Sequence, residues 1–368
     1  TSATTRHGTI YDVASNTDLH RQRNIGFRGQ VLYKPTDTLS LTLAGDLNVQ
    51  NPLCCAQYYA RVGTTQRAAN RQYPALAAAF GYAPPSTNPF DRVTDLDAKI
   101  NSRQEVGGAS LVTNWDLGPA TLTSVSAWRY WDWKPANDRD FIGLPITTVS
   151  QNPSQQEQES QEIRLASNGT NKLDYTVGAF LFDQTINTQG SQVQGSAASR
   201  FLLNPGNVPV GSRGCASPTA NACNPAVLNG LTSTNTINFK NTSFAVFGKL
   251  NWEAFNHFHV QPGIRVNYDK KSGSYVSVVT TGSGSTTLNA DQSATLAPQS
   301  YAPRFSAWNV SGDVTLSYDF SADVHGYATY AKSFKSGGIN LSGLPLNAAG
   351  TAVDLTTQTV KPEKVDAF

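Results

Sequence analysis

Methionine and long apolar runs are both missing from this chain of 368 residues. A transmembrane helix needs about 18 or more consecutive apolar residues, and no segment meets that requirement. A helical membrane span is therefore excluded. The chain begins Thr1-Ser2-Ala3 with neither a charged nor an apolar leader segment, so no signal peptide is visible. We expect the chain to be an internal portion of a longer precursor.

Charge is also sparse. Charged residues make up 15% of the chain and the formal net charge is +2. Affinity for nucleic-acid phosphates depends on clustered Lys and Arg side chains, and the sequence has no basic stripe. We expect no nucleic-acid partner.

Cysteine occurs four times, always between the strands predicted below. An even number of cysteines in an oxidising compartment favours disulfides. Pairing Cys215 with Cys223 closes a short loop and is the simplest connectivity. For Cys54 and Cys55 two readings stay open, two free thiols or a bridge between neighbours, because such a bridge strains the intervening peptide.

Alternation of apolar and polar residues is the main pattern that is present. In 39–50 the odd positions are mostly leucine or valine and the even positions are mostly polar. A period of two sustained over this length predicts a β-strand. Ten such segments occur, at 24–35, 39–50, 99–116, 120–134, 155–166, 174–187, 238–253, 257–270, 304–318 and 324–335, and an eleventh starts near Pro362.

The connections between these segments alternate between short and long. The long ones are 51–98, 135–154, 188–237, 271–303 and 336–361. A soluble β-sandwich has no reason to keep its long loops at one end, whereas outer-membrane barrels combine short periplasmic turns with long extracellular loops. The sequence therefore predicts an all-β fold, a partial transmembrane antiparallel up-and-down β-barrel of ten or eleven strands. Segment 24–35 then descends to the periplasm and 39–50 returns to the surface.

Two motifs near the end of the chain resemble signatures of TonB-dependent outer-membrane receptors. Residues 327–338 read Tyr-Ala-Thr-Tyr-Ala-Lys-Ser-Phe-Lys-Ser-Gly-Gly, and a loop later Lys361-Pro362-Glu363 opens the next strand. Segments 158–167, 173–182 and 244–268 are similar to the same family. The resemblance spans nearly the whole chain.

The resemblance implies a 22-stranded barrel closed by an N-terminal plug domain. Residues 1–368 would form part of that barrel, with the plug and the last strands outside this chain. The implied function is binding of a scarce ligand at the cell surface, a siderophore–iron complex, a cofactor or a glycan, and its import with energy from TonB. The implied partners are the TonB complex through the plug, lipid and lipopolysaccharide, and a small-molecule or oligosaccharide ligand. No bound cofactor and no enzymatic activity are expected.

Aromatic and arginine side chains in or beside the long loops are the candidate ligand contacts. The aromatic members also fall where an outer girdle at the membrane surface belongs, so a girdle and a ligand-stacking platform both stay open. The candidates are Tyr58, Tyr59, Arg61, Trp131, Trp133 and Arg139.

Three charged residues on the predicted strands, Arg28, Arg265 and Asp313, must avoid lipid. We expect them on the lumen face, in contact with the plug.

No metal site is predicted. His257 and His259 share a strand face but lack a third ligand nearby. Asp91, Asp95 and Asp97 lack the spacing of a calcium loop, so a solvated acidic loop is expected there.

Two rival functions share parts of this pattern. A passive porin has the same alternation of strands with short and long connections. However, the two motifs belong to the receptor family, and the loops at 51–98 and 188–237 are long enough for ligand recognition. An outer-membrane enzyme would need a catalytic serine or an acid pair near the surface. The preceding few hundred residues of the precursor would separate these functions, because a receptor requires a plug with a TonB box.

Overall fold

The computed structural model describes residues 1–169, 171–204, 221–348 and 352–368. Strands dominate it. In chain order they are β1 Ser2–Arg6, β2 Ile10–Asp12, β3 Thr17–Leu19, β4 Gln22–Tyr33, β5 Leu39–Gln50, β6 Val93–Thr94, β7 Asn101–Asp116, β8 Ala120–Ala136, β9 Thr147–Gln151, β10 Ser154–Ser167, β11 Leu173–Gln194, β12 Thr232–Phe255, β13 Phe258–Thr280, β14 Gln299–Tyr301, β15 Arg304–Ser321, β16 Val324–Lys335, β17 Gly338–Ile339, β18 Thr359–Val360 and β19 Glu363–Ala367.

Helices are short and lie in the connections. They are α1 Tyr73–Ala79, α2 Ala198–Leu202 and α3 Ala290–Thr295, with 3₁₀ turns at Ala69–Arg71, Pro89–Asp91, Asn221–Cys223, Pro225–Val227 and Leu355–Thr357. None of the helices in the described ranges has the length and apolar character to cross a bilayer.

A single 14-stranded sheet forms the body of the protein. Its main path runs β1-β4-β5-β7-β8-β10-β11-β12-β13-β15-β16-β19, and β9 and β14 attach at the side. Neighbours along the path are antiparallel. The predicted all-β, up-and-down meander of a partial barrel is confirmed.

The predicted strand limits hold best within the sheet body. Segment 39–50 coincides with β5, and 324–335 coincides with β16. The predicted ends of 174–187, 238–253 and 257–270 were wrong, because β11 continues to Gln194, β12 begins at Thr232 and β13 continues to Thr280. These extensions are rich in Ser, Thr, Asn and Gln, so the apolar alternation fades there although the ladder continues. Strand β1 was not predicted.

One face of the sheet carries the apolar residues. On β15 this outer face presents Trp308, Val310, Val314, Leu316 and Tyr318, all at least 36% exposed. The ten residue-to-residue steps from Trp308 to Tyr318 span about 33 Å along a strand, or about 23 Å along the membrane normal at a tilt near 45°. This height matches the apolar band of an outer-membrane barrel, so the outer face is built to contact lipid.

The opposite, lumen face is polar. Arg129 Nη1 and Nη2 donate to Asp46 Oδ1 and Oδ2 at 2.8 and 2.9 Å, and the hydroxyls of Thr315 and Thr329 lie 2.8 Å apart. Arg28 pairs in register with Asp46 and shares this face.

Two other charged residues predicted for the lumen also lie there and have partners within the chain. The Arg265 guanidinium lies over the rings of Phe180 and Phe247, at 5.6 and 5.4 Å from their centroids. Asp313 Oδ2 is 3.6 Å from Lys249 Nζ. Their expected contact with a plug stays a prediction.

The long connections meet at one end of the sheet and pack into a layer with its own cores. One core joins Ile10, Leu19, Ala56, Leu96 and Ile100 beside the small sheet β3-β2-β6. Others form around Leu228 and Leu231, around Leu144 and Ile146, and around Tyr275 and Tyr301. The buried apolar side chains are therefore concentrated in this loop layer, and the layer is an ordered platform.

Candidate functional site

A cavity of about 360 Å³ opens within the loop layer, and we refer to it as the loop pocket. Its wall comes from three parts of the chain: residues 57–62, residues 73–95, and residues 140–142. Five aromatic side chains and three charged ones line it, namely Tyr58, Tyr59, Tyr73, Tyr82, Phe141, Arg61, Asp95 and Asp140.

The first segment of the loop pocket is fixed at its start. Cys54 and Cys55 are joined by a disulfide, and Ala56 is buried against the Ile10 and Leu96 core. The backbone N–H of Ala56 donates to His20 Nε2 at 2.9 Å. Tyr58, Tyr59 and Arg61 follow directly, so an anchored backbone presents them to the cavity.

The aromatic wall is held by both packing and hydrogen bonds. The rings of Tyr59 and Tyr73 lie 6.4 Å apart. The Tyr82 hydroxyl donates to Asp95 Oδ1 at 3.0 Å and accepts from the Gly143 backbone N–H at 3.3 Å. The buried Tyr73 hydroxyl has no hydrogen-bond partner among the described residues. A buried hydroxyl without a partner is costly, so this oxygen favours a ligand or water that completes its hydrogen bonding.

Burial changes the proton affinity of the groups around the loop pocket. Loss of hydration raises the pKa of the Tyr73 and Tyr82 hydroxyls above the usual range. It also raises the pKa of Asp95, and it raises the pKa of Asp140 to about 8 with help from the nearby Asp138 carboxylate. At neutral pH the Tyr73 and Tyr82 hydroxyls and the Asp140 carboxyl group therefore stay protonated, and the loop pocket holds O–H groups that can donate hydrogen bonds.

Three carboxylates meet behind the loop pocket. Oxygens of Asp97, Asp138 and Asp140 lie within 4.8 Å of one another. Asp138 Oδ2 accepts from the backbone N–H groups of Asp97 and Ala98 at 3.1 and 3.2 Å, and its Oδ1 accepts from that of Phe141 at 2.7 Å. Asp138 thus ties two loops together. Asp97 is solvent-exposed, as expected for an acidic loop, while loss of hydration around its carboxyl group and the nearby Asp138 raise its pKa to about 7.

The other aspartates and the histidines predicted to be poor metal ligands lie apart from this cluster. Asp91 accepts from the Ser86 hydroxyl at 2.6 Å within its own turn. At the opposite end of the sheet His325 Nδ1 lies 2.5 Å from Asp319, and the Asp319 N–H donates to the His257 carbonyl at 3.0 Å. In the described ranges only Asp97, Asp138 and Asp140 bring three ligand-type atoms together.

The predicted ligand candidates fall into three places. Tyr58, Tyr59 and Arg61 line the loop pocket. Arg139 lies outside its lining and donates to Gln192 at 2.8 Å.

Trp131 and Trp133 are on the lumen face. They lie two and four residues after Arg129 on β8, and alternate residues of a strand face the same side. Their rings stack 5.3 Å apart, and their indole N–H groups donate to Gln104 and Ser102, each at 3.1 Å. The girdle interpretation is therefore wrong for these two tryptophans. It is also wrong for Tyr58 and Tyr59, which lie in the loop layer.

Sequence reasoning missed Tyr73, Tyr82, Asp140 and Phe141. A local signal existed only for Tyr73, where Pro74 lies in the first turn of α1. The remaining cysteines add little to the site: Cys223 is disulfide-bonded, while Cys215 lies outside the described residues.

The fold and the site together define a class of protein. It is an outer-membrane β-barrel with a polar lumen and a ligand-sized pocket in its extracellular loops. Residues 56–368 match the family described as TonB dependent receptor-like, beta-barrel. The chain belongs to this family, as its motifs predicted, and it is an outer-membrane protein. A search of curated protein sequences finds no match.

Three solved structures with the same fold are named as receptors. The ferric yersiniabactin uptake receptor FyuA from Yersinia pestis has 14% identity and a TM-score of 0.65, over 99% of this chain and 45% of that one. The siderophore receptor PiuA from Acinetobacter baumannii has 13% identity and a TM-score of 0.55, over 94% and 46%. The open form of the ferric-catecholate import receptor Fiu from E. coli K12 has 13% identity and a TM-score of 0.54, over 90% and 49%. The chain thus spans a little under half the length of these proteins.

Proposed function

We propose that the chain is the ligand-recognising part of an outer-membrane receptor that imports its ligand with energy supplied through TonB. The observation that supports this most directly is the loop pocket, an anchored aromatic cavity on the extracellular side of a polar lumen. Ligand pockets of this size are typically apolar with a few placed polar groups. The wall of the loop pocket has that composition.

The proposal includes the rest of the barrel and a plug. Residues 1–368 form one part of the barrel domain, and Arg28, Arg265 and Asp313 on the lumen face contact the plug. Lumen charges of this kind favour a filled barrel, because a polar partner surface replaces open water around them.

We assign no catalytic role to the chain. Three of the five histidines, His257, His259 and His325, lie at the end of the sheet opposite the loop pocket. His20 is engaged by the Ala56 backbone. The tyrosines and the carboxylates of the loop pocket instead suit binding of an oxygen-rich ligand with flat or apolar faces, since aromatic rings stack on such faces and O–H groups bond to oxygen.

Binding to the complete receptor tests the proposal. The probes are a panel of ferric siderophores, chosen first because the three structural neighbours are named for such ligands, followed by cobalamin and oligosaccharides. Tyr59→Ala/Tyr73→Ala should weaken binding of the active probe by about tenfold or more, as loss of stacking on two rings would do. Tyr11→Ala is the matched control, because Tyr11 is an exposed tyrosine of the loop layer outside the loop pocket. Equal affinities for the double variant and the wild type would overturn the proposal.

A further inference from the structure

The outer face also carries a polar cluster, at the extracellular end of β12, β13 and β15. It lies just above the apolar band of the outer face, which we call the apolar belt. Phe244, Tyr268 and Trp308 lie in one register row on the outer face. The rings of Tyr268 and Trp308 are 4.9 Å apart, and Trp308 is 64% exposed. Exposed aromatic rings of this kind mark the level where hydrocarbon gives way to lipid headgroups. The row therefore sets the upper edge of the belt.

Cationic and hydroxyl side chains occupy the next two outer-face rows on the extracellular side. Lys270 pairs in register with Ser306, and Ser272 pairs with both Lys240 and Arg304. Direct and diagonal neighbours on one sheet face are within reach of each other's long side chains. Lys270, Ser272, Arg304 and Ser306 line one concavity of about 400 Å³. The fold thus gathers cations that are far apart in sequence.

The charges of Lys270 and Arg304 are not balanced by any acidic side chain in the part of the chain that the structure describes. Two other outer-face cations on the extracellular side have carboxylate partners: Arg103 lies 4.0 Å from Glu105, and Lys134 lies 3.4 Å from Asp132. Lys240 is 3.4 Å from Asp183. Lys270 and Arg304, by contrast, form no ion pair within the described ranges. Two neighbouring cations without a counter-charge repel each other, and they attract an anion from outside.

We propose that Lys270 and Arg304, with Ser272 and Ser306, bind a phosphate group of a membrane glycolipid, and that Lys240 borders this site. The guanidinium fork and the ammonium group supply charge-assisted hydrogen bonds to phosphate oxygens, and the two hydroxyls add neutral donors. The site lies directly above the aromatic row, so a phosphate there belongs to a molecule whose acyl chains run down the apolar belt. The inference rests on the outer-membrane location and is independent of the proposed ligand uptake.

The test uses the complete receptor extracted from outer membranes in detergent. We compare the wild type, Lys270→Gln/Arg304→Gln, and the control Arg103→Gln/Lys134→Gln, which removes two outer-face cations that already have partners. The amount of phosphorylated glycolipid retained per receptor is measured by mass spectrometry. Heat-modifiable migration on gels confirms that each variant has a folded barrel, and the single substitutions replace any double variant that fails this check.

The wild type and the control should retain the glycolipid, and the Lys270/Arg304 variant should lose about tenfold or more of it, the effect of losing one or more charge-assisted contacts. Delipidated wild type should rebind lipopolysaccharide but not its dephosphorylated form. Equal retention by all three proteins, or equal rebinding of the dephosphorylated form, would overturn the proposal. Full displacement by equimolar inorganic phosphate would overturn it too, because free phosphate would then be the ligand.

Discussion

Trp131 and Trp133 stack on each other 5.3 Å apart on the lumen face, with both indole N–H groups already engaged by Gln104 and Ser102. This arrangement fixes the two rings in place. It leaves no indole donor free to bind a ligand, so stacking is the interaction that the pair can offer. Because the pair lies on the lumen face, an imported ligand would pass along it.

Replacing Trp131 and Trp133 together by alanine should slow import much more than it weakens binding at the surface. The loop pocket, which does not include either tryptophan, keeps its wall intact. Transport of the active probe into cells and its equilibrium binding to purified receptor are the two measurements. Trp115→Ala is the control, because Trp115 lies on the outer face and is 48% exposed. A parallel loss of affinity and transport would assign the tryptophans to the surface site instead.

An arginine on the lipid-facing side of β15 should be far more costly than one on the lumen side. Val314→Arg or Leu316→Arg should destabilise the barrel by roughly 2–4 kcal/mol if the site lies near the bilayer midplane. Thr315→Arg should cost much less, because Thr315 points to the lumen and contacts Thr329. Reversible unfolding of the complete receptor in lipid vesicles measures both values. Similar costs at positions 314 and 315 would show that this strand is not half-exposed to lipid.

Protease resistance of the loop layer should fall as pH rises. The pKa of Asp97 is raised to about 7 and that of Asp140 to about 8, whereas an unfolded aspartate titrates near pH 4. A raised pKa means that the folded loops hold the proton more tightly. The stability from these groups is thus fully present below about pH 4 and is lost as pH rises through about 7 to 8.

Limited proteolysis of intact cells at about pH 6 and about pH 8.5, on either side of these transitions, measures this effect. Asp140→Asn should remove much of the pH dependence, because the side chain then stays neutral. Asp91→Asn is the control, since Asp91 is exposed in the connection that carries Asp97 and lies outside the cluster. Cleavage that slows on raising the pH would contradict the sign of the shift.

The two ends of the sheet should differ in access from outside the cell. Phe90 is 87% exposed in the loop layer, and Asp37 lies exposed in the short turn between β4 and β5. A cysteine replacing Phe90 should react with a membrane-impermeant maleimide on intact cells, and one replacing Asp37 should react only after lysis. Labelling of position 37 alone on intact cells would reverse the orientation.

How far the sequence predicts this structure depends on what encodes each part. Alternation specifies β5 to the residue because each of its side chains faces either lipid or the lumen. The same signal fails at the end of β13, because apolar residues lie on both faces there: Tyr275 and Val279 are buried in the loop layer, while Val276 and Val278 are exposed on the other face. Cross-strand hydrogen bonds continue there without any apolar period to mark them.

The loop pocket was only half predictable. Tyr58, Tyr59 and Arg61 form a local cluster of large side chains in a long loop, so they could be singled out from the sequence. Tyr82 and Asp140 reach the same cavity from separate connections, and only the packing of the loop layer brings them together. No periodic pattern encodes such a meeting. The lumen position of Trp131 could have been predicted from Arg129. The two residues are two apart on one strand and share a face, and a charged side chain such as that of Arg129 belongs inside the barrel.

The central claim is that the loop pocket captures a ligand which the receptor then imports with energy from the inner membrane. The most direct measurement is uptake of the active radiolabelled probe by cells expressing the complete receptor, as wild type or Tyr59→Ala/Tyr73→Ala, with and without a protonophore. The account predicts uptake by the wild type that the protonophore abolishes, and little uptake by the variant despite equal amounts of receptor in the outer membrane. Uptake that persists with the protonophore and is the same for both proteins would contradict the account and identify a passive pore.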